Sequence, residues 1–207
     1  MEMSEKQMEA LKRNNEESNY VTREAVWDAL FSLMNTQDYE EIRITDIIRR
    51  SGISRSAFYR NYKTKDDILK DYVGDLNTFV LKTLSTDSEE NWRVYIRTIR
   101  ENREKIELLI KAHREWFILD AFNEFADYSS GTDFSTVLPH GYIYNMVIYW
   151  VKCGLPGTDE ETVQRIMQAC RENAEIMLSG IIPDENLKKT KSHTGKKRKK
   201  AAGGNRQ

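Results

Sequence analysis

Proline and glycine are scarce and unevenly spaced, and this constrains the fold more than any other feature of the sequence. The 207 residues include three prolines and ten glycines, and residues 1–51 and 75–130 contain neither. Apolar residues in these stretches recur three and four positions apart, as Val26, Leu30 and Leu33 do, which is the spacing of one face of an α-helix. A sheet protein needs turn residues more often. The sequence therefore predicts an all-α fold.

Breaks in the apolar periodicity, together with capping residues, divide the chain into helices. Thr22, Thr45, Ser54 and Thr64 are predicted N-caps of the first four helices, and Gly52 is the left-handed terminator of the second. The predicted helices cover residues 22–34, 45–51, 55–61, 64–80, 89–111, 114–127, 139–153 and 159–178. Residues 128–139 are rich in Ser, Gly, Asp and Thr and are predicted to form a loop.

Charge is distributed unequally along the chain. The formal net charge is −1, yet residues 184–207 hold nine Lys or Arg residues and only two acids. The rest of the chain therefore has 23 basic and 31 acidic residues. An acidic body argues against a protein that coats nucleic acid through its overall charge, so a DNA-binding surface is expected to be local. The lysine-rich end has almost no apolar residues and is predicted to be a disordered tail.

Several functional classes lack their sequence signatures. Cys153 and Cys170 lie in no ligand-type cluster, so neither a disulfide scaffold nor a zinc site is expected. Residues 1–19 are polar and charged, unlike a signal peptide, and no apolar run approaches the roughly 18 residues of a membrane span. A cytoplasmic protein that does not contact the membrane is therefore expected. Gly-rich phosphate loops and the G-x-S-x-G and H-E-x-x-H motifs are absent, so neither an enzyme nor a cofactor is predicted.

Residues 44–69, ITDIIRRSGISRSAFYRNYKTKDDIL, carry the functional signal. They predict two short helices joined by a turn at Gly52, then a longer helix with Thr64 and Asp67 in a capping-box arrangement. Residues 43–65 contain seven basic side chains and one acid. Phosphate binding needs such local positive charge, and base reading needs polar side chains on an exposed helix. The segment therefore predicts a DNA-binding helix-turn-helix.

The third helix is the predicted reading helix of this segment. Its pattern presents Arg55, Ser56, Tyr59 and Arg60 while burying Phe58. An arginine at the start of such a helix reaches a guanine edge with two hydrogen bonds.

A set of short motifs at fixed spacing extends this pattern over residues 22–69, about a quarter of the chain. The matched positions are T-R-E-A from Thr22, the aromatic Tyr39, I-T-D-I from Ile44, S-G-I-S-R from Ser51, F-Y-R-N-Y from Phe58 and K-T-K-D-D-I-L from Lys63. With these motifs the segment resembles the DNA-binding domain of the TetR/AcrR family of transcriptional regulators. The resemblance implies an N-terminal three-helix helix-turn-helix domain followed by a helical ligand-binding and dimerisation domain.

The resemblance also implies roles for individual residues. Arg55, Ser56 and Ala57 match the start of the recognition helix, where base edges are read. Thr22, Thr45 and Lys65 match positions that contact phosphate, and Tyr59 and Asn61 match positions that contact the backbone and sometimes bases. With Arg60 from the exposed face, the predicted DNA-binding residues are Thr22, Thr45, Arg55, Ser56, Ala57, Tyr59, Arg60, Asn61 and Lys65.

The predicted domain organisation follows from the resemblance and the composition. A flexible leader spans residues 1–19, the DNA-binding domain residues 20–66, the regulatory and dimerisation domain residues 67–183, and the basic tail residues 184–207. The resemblance further implies a homodimer on a palindromic operator in double-stranded DNA, more often as a repressor than as an activator. In such proteins a ligand swings the fourth helix and changes the distance between two reading heads that must meet grooves roughly 34 Å apart.

The effector site is predicted between the fourth helix and residues 89–127, and the effector is unidentified. Aromatic residues there belong either to the core, to the dimer interface or to a pocket. His113 and His140 are interpreted as ordinary polar residues rather than metal ligands. The residues proposed for the pocket are Trp92, Trp116, Phe117, Phe122 and Tyr144.

The last two helices are predicted to form a four-helix bundle with their copies in a dimer. The apolar positions proposed for that interface are Val147, Val151, Val163, Ile166, Met167, Cys170, Ala174 and Met177. Two other functional classes stay open. One is a TetR-like co-activator or scaffold that acts through a protein partner without a small-molecule ligand. The other is a helical enzyme with an incidental helix-turn-helix, against which the scattered acids argue.

Overall fold

The computed structural model describes residues 5–124 and 138–179. The described part contains nine α-helices, one short 3-10 helix and no β-strand, which confirms the all-α prediction. The α-helices are α1 (Glu5–Met34), α2 (Ile44–Ser51), α3 (Arg55–Asn61), α4 (Lys65–Thr83), α5 (Ser88–Glu101), α6 (Arg103–Lys111), α7 (Trp116–Asn123), α8 (Leu138–Lys152) and α9 (Asp159–Ser179). The 3-10 helix, Tyr39–Glu41, lies between α1 and α2.

Helix α1 is much longer than the sequence pattern predicted. Its predicted start at Thr22 is wrong, because the helix begins at Glu5. The hydroxyl of Thr22 donates to the Ser18 carbonyl at 2.8 Å, one turn back, instead of capping a helix end. The Glu, Lys, Arg, Gln and Met residues that made this segment look like a polar leader are also strong helix formers. Their exposure does not prevent a helix from forming.

The predicted helix over residues 89–111 is in fact two helices, α5 and α6, that meet at Asn102. The Asn102 amide donates to the Thr98 carbonyl at 2.8 Å and its Oδ1 accepts from the Tyr72 hydroxyl at 2.7 Å. A side chain that bonds the backbone in this way competes with the helix ladder and favours a break. A second break follows α6, where His113 has a left-handed φ of 54°.

The remaining predicted elements exist in the structure where it describes them, with some of their ends displaced. Thr45, the predicted N-cap of the second helix, lies inside it, because α2 begins at Ile44 and Arg43 is its N-cap. Helices α8 and α9 lie within one residue of their predicted bounds. Helix α7 begins at Trp116 rather than residue 114, and residues 125–127 of its predicted range lie outside the described residues, as does most of the predicted loop. Helix α4 runs through residue 66, where a domain boundary was predicted, and that boundary stays a prediction. Residues 160–179 of α9 belong to a separate compact unit.

The helix-turn-helix segment is held by a core to which α1, α2, α3 and α4 all contribute. Each of the four helices has at least one residue in this core with no accessible surface, and burial of each such side chain stabilises the fold by roughly 1.5–3 kcal/mol. These residues are Val26 and Leu30 of α1, Ile47 of α2, Phe58 of α3, and Ile68 and Leu69 of α4.

One carboxylate, that of Asp71 on α4, joins three of these helices. Its Oδ2 accepts from Arg23 Nε at 2.8 Å, from the Trp27 indole N–H at 3.1 Å and from the Tyr62 hydroxyl at 2.5 Å. Arg23 and Trp27 belong to α1, and Tyr62 is the C-cap of α3. Burial, followed by this hydrogen bond, raises the pKa of Tyr62 well above its usual value. Tyr62 therefore stays protonated and keeps donating.

Replacement of Asp71 by alanine is expected to destabilise the fold by about 2–3 kcal/mol, because it leaves the half-buried donors of Arg23, Trp27 and Tyr62 without their shared acceptor. Asp28→Ala is the matched control. Asp28 pairs with Lys105 at 3.1 Å, but its side chain is 72% exposed, so its loss is expected to cost less than about 1 kcal/mol. Chemical unfolding followed by circular dichroism measures both. Equal losses in the two variants would contradict the role assigned to Asp71.

Candidate nucleic-acid interface

The turn between α2 and α3 depends on Gly52. This residue is the C-cap of α2 and adopts φ 70° and ψ 6°, a left-handed conformation that glycine adopts without the clash a Cβ would cause. Two residues later Ser54 starts α3, where its hydroxyl accepts from the Ala57 backbone N–H at 3.1 Å. The predicted turn and N-cap are both confirmed.

Helix α3 buries one face and exposes the other. Phe58 has no accessible surface, and its ring contacts the Tyr62 and Tyr59 rings at centroid distances of 5.8 and 5.4 Å. Tyr59 itself is 55% exposed. The exposed face of α3 consists of Arg55, Ser56, Tyr59 and Arg60, and Ala57 is half-buried. These four residues form the α3 face.

The other predicted DNA-binding residues lie in different surroundings. Thr45 is exposed in the first turn of α2. The Asn61 amide donates to the Ala57 carbonyl at 3.0 Å, so it closes α3. Lys65 is turned inward: its ammonium donates to the Tyr39 carbonyl at 2.5 Å and lies 3.3 Å from the Glu40 carbonyl. Phosphate contacts by Lys65 and by Thr22 stay predictions.

Basic residues flank the α3 face on both sides. Arg43, just before α2, and Lys63, just before α4, are exposed. Arg49 pairs with Asp46 one turn away at 2.9 Å, and its side chain remains 80% exposed. Arg50 donates to the Ser32 hydroxyl on α1. The exposed side of α2 and α3 is thus positively charged, although residues 1–183 as a whole hold 31 acidic and 23 basic residues.

Helix α4 begins directly after this surface and is strongly capped. The Thr64 hydroxyl accepts from the Asp67 backbone N–H at 3.2 Å, and the Asp67 carboxylate accepts from the Lys63 and Thr64 backbone N–H groups. Burial favours the neutral form of Asp67, yet the hydrogen bonds to Lys63 and Thr64 hold its pKa below the usual value. The predicted capping box is confirmed.

Three residues that hold this surface in place were missed by the sequence reasoning. Asp66 accepts from the Tyr39 hydroxyl at 2.6 Å and from Arg114 Nε at 3.1 Å. Asp71 joins α1, α3 and α4. Arg114 and its partner Asp66 are 48 positions apart, and no local pattern indicates such a pair.

The predicted effector pocket differs from what the structure contains. Helices α4 to α8 surround an apolar cavity of about 50 Å³, and of the five predicted pocket residues only Phe122 lines it. Phe117 is a core residue at 1% exposure and Trp116 is 44% exposed. Trp92 packs on Tyr95 at a ring distance of 5.9 Å, and Tyr144 lies outside the cavity lining.

One polar side chain lines this cavity with an unused hydrogen-bonding atom. Asn77 is 5% exposed, and its amide N–H donates to the Ala121 carbonyl of α7 at 2.9 Å. Its Oδ1 is buried without a partner. Buried acceptors in this state favour a donor such as a water molecule or a ligand hydroxyl.

The histidines do not form a metal site in the described part of the chain, where no cluster of His, Cys, Asp and Glu suits a metal ion. Burial lowers the pKa of His140 below its usual value, so its ring is neutral at pH 7. Its ring lies 6.3 Å from that of Phe122.

Two residues of the apolar face predicted for dimerisation are buried within the chain itself. Val147 and Val151 of α8 are each 3% exposed. These two residues cannot form the surface of a dimer, so this part of the prediction is wrong, while the role of Val163 and Ile166 on α9 stays a prediction. Met167 and Cys170 are half-buried, and the side chains at positions 174 and 177 lie outside the described part.

Comparison with known proteins agrees with this geometry. Two short helices joined by a glycine turn, the second with an exposed basic face, form a helix-turn-helix. Residues 27–72 match the family described as bacterial regulatory proteins, tetR family, which agrees with the resemblance that the sequence motifs indicated.

Two further similarities are more limited. Over 71 residues the chain is 34% identical to YxbF of Bacillus subtilis, named an uncharacterized HTH-type transcriptional regulator; the match covers 34% of this chain and 19% of that protein. The crystal structure of Lin0861 from Listeria innocua has a TM-score of 0.62 at 17% identity, over 73% of this chain and 90% of that one. This second likeness concerns the fold. None of the described helices has the length and apolar character that crossing a bilayer requires.

Two glycine substitutions are expected to change stability in opposite directions. Gly52→Ala forces a Cβ into the left-handed turn and should cost about 1–2 kcal/mol. Gly74→Ala is the matched control, since Gly74 lies inside α4 at an ordinary helical φ and has open space where the added methyl group would lie. It should stabilise the protein by roughly 0.5–1 kcal/mol. Thermal unfolding of both variants measures this, and a stabilising Gly52→Ala would contradict the turn.

Proposed function

We propose that this protein is a sequence-specific DNA-binding transcriptional regulator that acts as a homodimer on a palindromic site in double-stranded DNA, most simply as a repressor. The observation that carries the proposal is the α3 face, with two arginines, a serine and a tyrosine exposed together on a short helix. The TetR-family match of residues 27–72 supports it independently.

The chemistry of the α3 face suits the major groove. Arg55, in the first turn of α3, has a planar fork of donors that suits the two acceptors on a guanine edge. Tyr59 offers a hydroxyl to phosphate or base. The exposed Arg43, Arg49 and Lys63 supply charge to the phosphates on either side, which fixes orientation without selecting sequence.

Dimerisation is part of the proposal because a helix as short as α3 reads only a few base pairs. Two copies related by a twofold axis read a palindrome with half-sites about 34 Å apart. Since Val147 and Val151 face the interior, the outer side of α8 is the remaining candidate for its share of the interface. Tyr149 stands on that side and is 73% exposed.

Selection of bound sites from a random DNA pool, with the full chain at physiological salt and excess competitor DNA, tests the proposal. Sedimentation equilibrium of the same sample gives the oligomeric state. Enrichment of a palindrome with half-sites about one helical turn apart by a dimeric protein is the expected result. A folded protein that enriches no sequence would overturn it.

Arg55→Ala and Tyr59→Ala are expected to weaken binding to the selected site by about 1–3 kcal/mol each, with fold and dimer unchanged. The matched control for charge is Arg97→Ala, an exposed arginine of α5 away from the α3 face. Fluorescence anisotropy with labelled duplexes measures the affinities. If Arg55→Ala binds as tightly as Arg97→Ala does, the α3 face is not the reading surface.

Regulation by a small molecule is a further part of the proposal, and the cavity beside α4 is its candidate site. The lining contains no charged residue and offers the unused Asn77 acceptor, so a neutral ligand with one donor suits it. Stabilisation of the protein by such a ligand, lost in Asn77→Leu, would support this part.

The size of the cavity favours the alternative function, a TetR-like co-activator or scaffold without a small-molecule ligand. At about 50 Å³ it is far below the roughly 300–1,000 Å³ of ordinary ligand sites. A ligand of that size enters only if the helices around the cavity move apart. Absence of any stabilising ligand, in a protein that selects no DNA, would place the scaffold function first.

A further inference from the structure

An arginine outside the helix-turn-helix binds residues at both ends of that motif. Arg114 follows the left-handed His113 between α6 and α7. Its Nε donates to Asp66 Oδ1 at 3.1 Å, and its Nη2 donates to Glu40 Oε1 at 3.0 Å. Its remaining nitrogen, Nη1, donates to the Ala112 and His113 carbonyls at 3.2 and 3.3 Å. The guanidinium is therefore bound on all sides and has one orientation.

The two acids that Arg114 binds flank the reading surface. Glu40 lies in the 3-10 helix that leads into α2, and Asp66 lies in the first turn of α4, directly after α3. Tyr39 joins them, because its hydroxyl donates to the same Asp66 Oδ1 at 2.6 Å. Burial and this bond raise the pKa of Tyr39 above its usual value, so the donor persists. Lys65, next to Asp66 in the chain, also binds Tyr39, because its ammonium donates to the Tyr39 carbonyl.

Helix α7 then follows α4 away from this group. The Lys70 ammonium lies 5.2 Å from the Phe117 ring centroid, and the Asn77 amide donates to the Ala121 carbonyl at 2.9 Å. Contacts therefore join α4 first to Arg114 and then to α7, from Asp66 to Asn77 along α4. Arg114, two residues before α7, contacts the start of α4 through Asp66.

We propose that Arg114 is a positioning residue for DNA binding: it sets the orientation of the helix-turn-helix relative to α4 and α7. This inference rests on the proposed function, since orientation matters only if two heads engage DNA together. Half-sites one turn apart are about 34 Å from each other, so a small rotation of each head moves both α3 helices out of register. In this role Arg114 touches no DNA and acts through Glu40 and Asp66.

The test compares full-length wild-type protein, Arg114→Ala and Arg114→Lys with Arg103→Ala. The last is a matched loss of charge on α6, where Arg103 pairs only with Glu107 of the same helix at 2.7 Å in the contacts described. Each protein is titrated with three kinds of duplex: the selected palindrome, a single half-site, and palindromes whose half-site spacing is changed by one base pair.

Arg114→Ala is expected to bind the palindrome roughly twofold to thirtyfold more weakly, with unchanged half-site affinity and a flatter preference among spacings. Arg114→Lys should restore part of the preference, because an ammonium keeps one ion pair but not the fork. Arg103→Ala should match wild type. The half-site readout separates positioning from folding, and Arg114→Lys carries the test if the alanine variant does not fold.

Three results would overturn the inference or its basis. Unchanged palindrome affinity and spacing preference in both Arg114 variants would overturn the positioning role. Equal losses of affinity for the palindrome and for the half-site would show that Arg114 stabilises the helix-turn-helix itself instead of orienting it. A wild-type protein that binds no selected sequence would overturn the proposed function itself, and that result is visible before any variant is made.

Discussion

The hydrogen bonds to the Asp71 carboxylate are the constraint on which the reading surface depends. A seven-residue helix such as α3 is too short to be stable in water without tertiary contacts. Its orientation therefore comes from burial of Phe58 and from the bond that its C-cap, Tyr62, makes to Asp71. Since the same oxygen binds Arg23 and Trp27 of α1, the exposed side of α3 is fixed relative to both α1 and α4.

Helix α4 is shared between the reading head and the helices behind it. Its first turns provide Asp66 to Arg114 and Asp71 to α1 and α3, while Leu76 and Asn77 face the cavity beside α7. One rigid helix therefore connects the small cavity to the DNA-binding surface. Under the proposed function, α4 is the element through which a change in packing around Asn77 would reach the α3 face.

Local features of the interface were predictable from sequence because their causes are local. The Gly52 turn, the Ser54 cap and the Thr64–Asp67 box each involve residues at most three positions apart. Each takes the predicted conformation. The roles of Asp71 and Arg114 were not predictable, because each has a partner 48 positions away along the chain. The prediction that Val147 and Val151 lie in the dimer interface was wrong for a related reason. An apolar stripe on α8 indicates burial, but it does not indicate whether the same chain or a second copy covers it.

Hydroxyl-radical footprinting on a selected operator shows whether the α3 helices of two copies read one duplex. If they do, two protected patches lie on one face of the DNA, centred about one helical turn apart, and both weaken together in Arg55→Ala. Uniform protection along the duplex, unaltered by Arg55→Ala, would show that the protein holds DNA through its general charge and would contradict a reading role for α3.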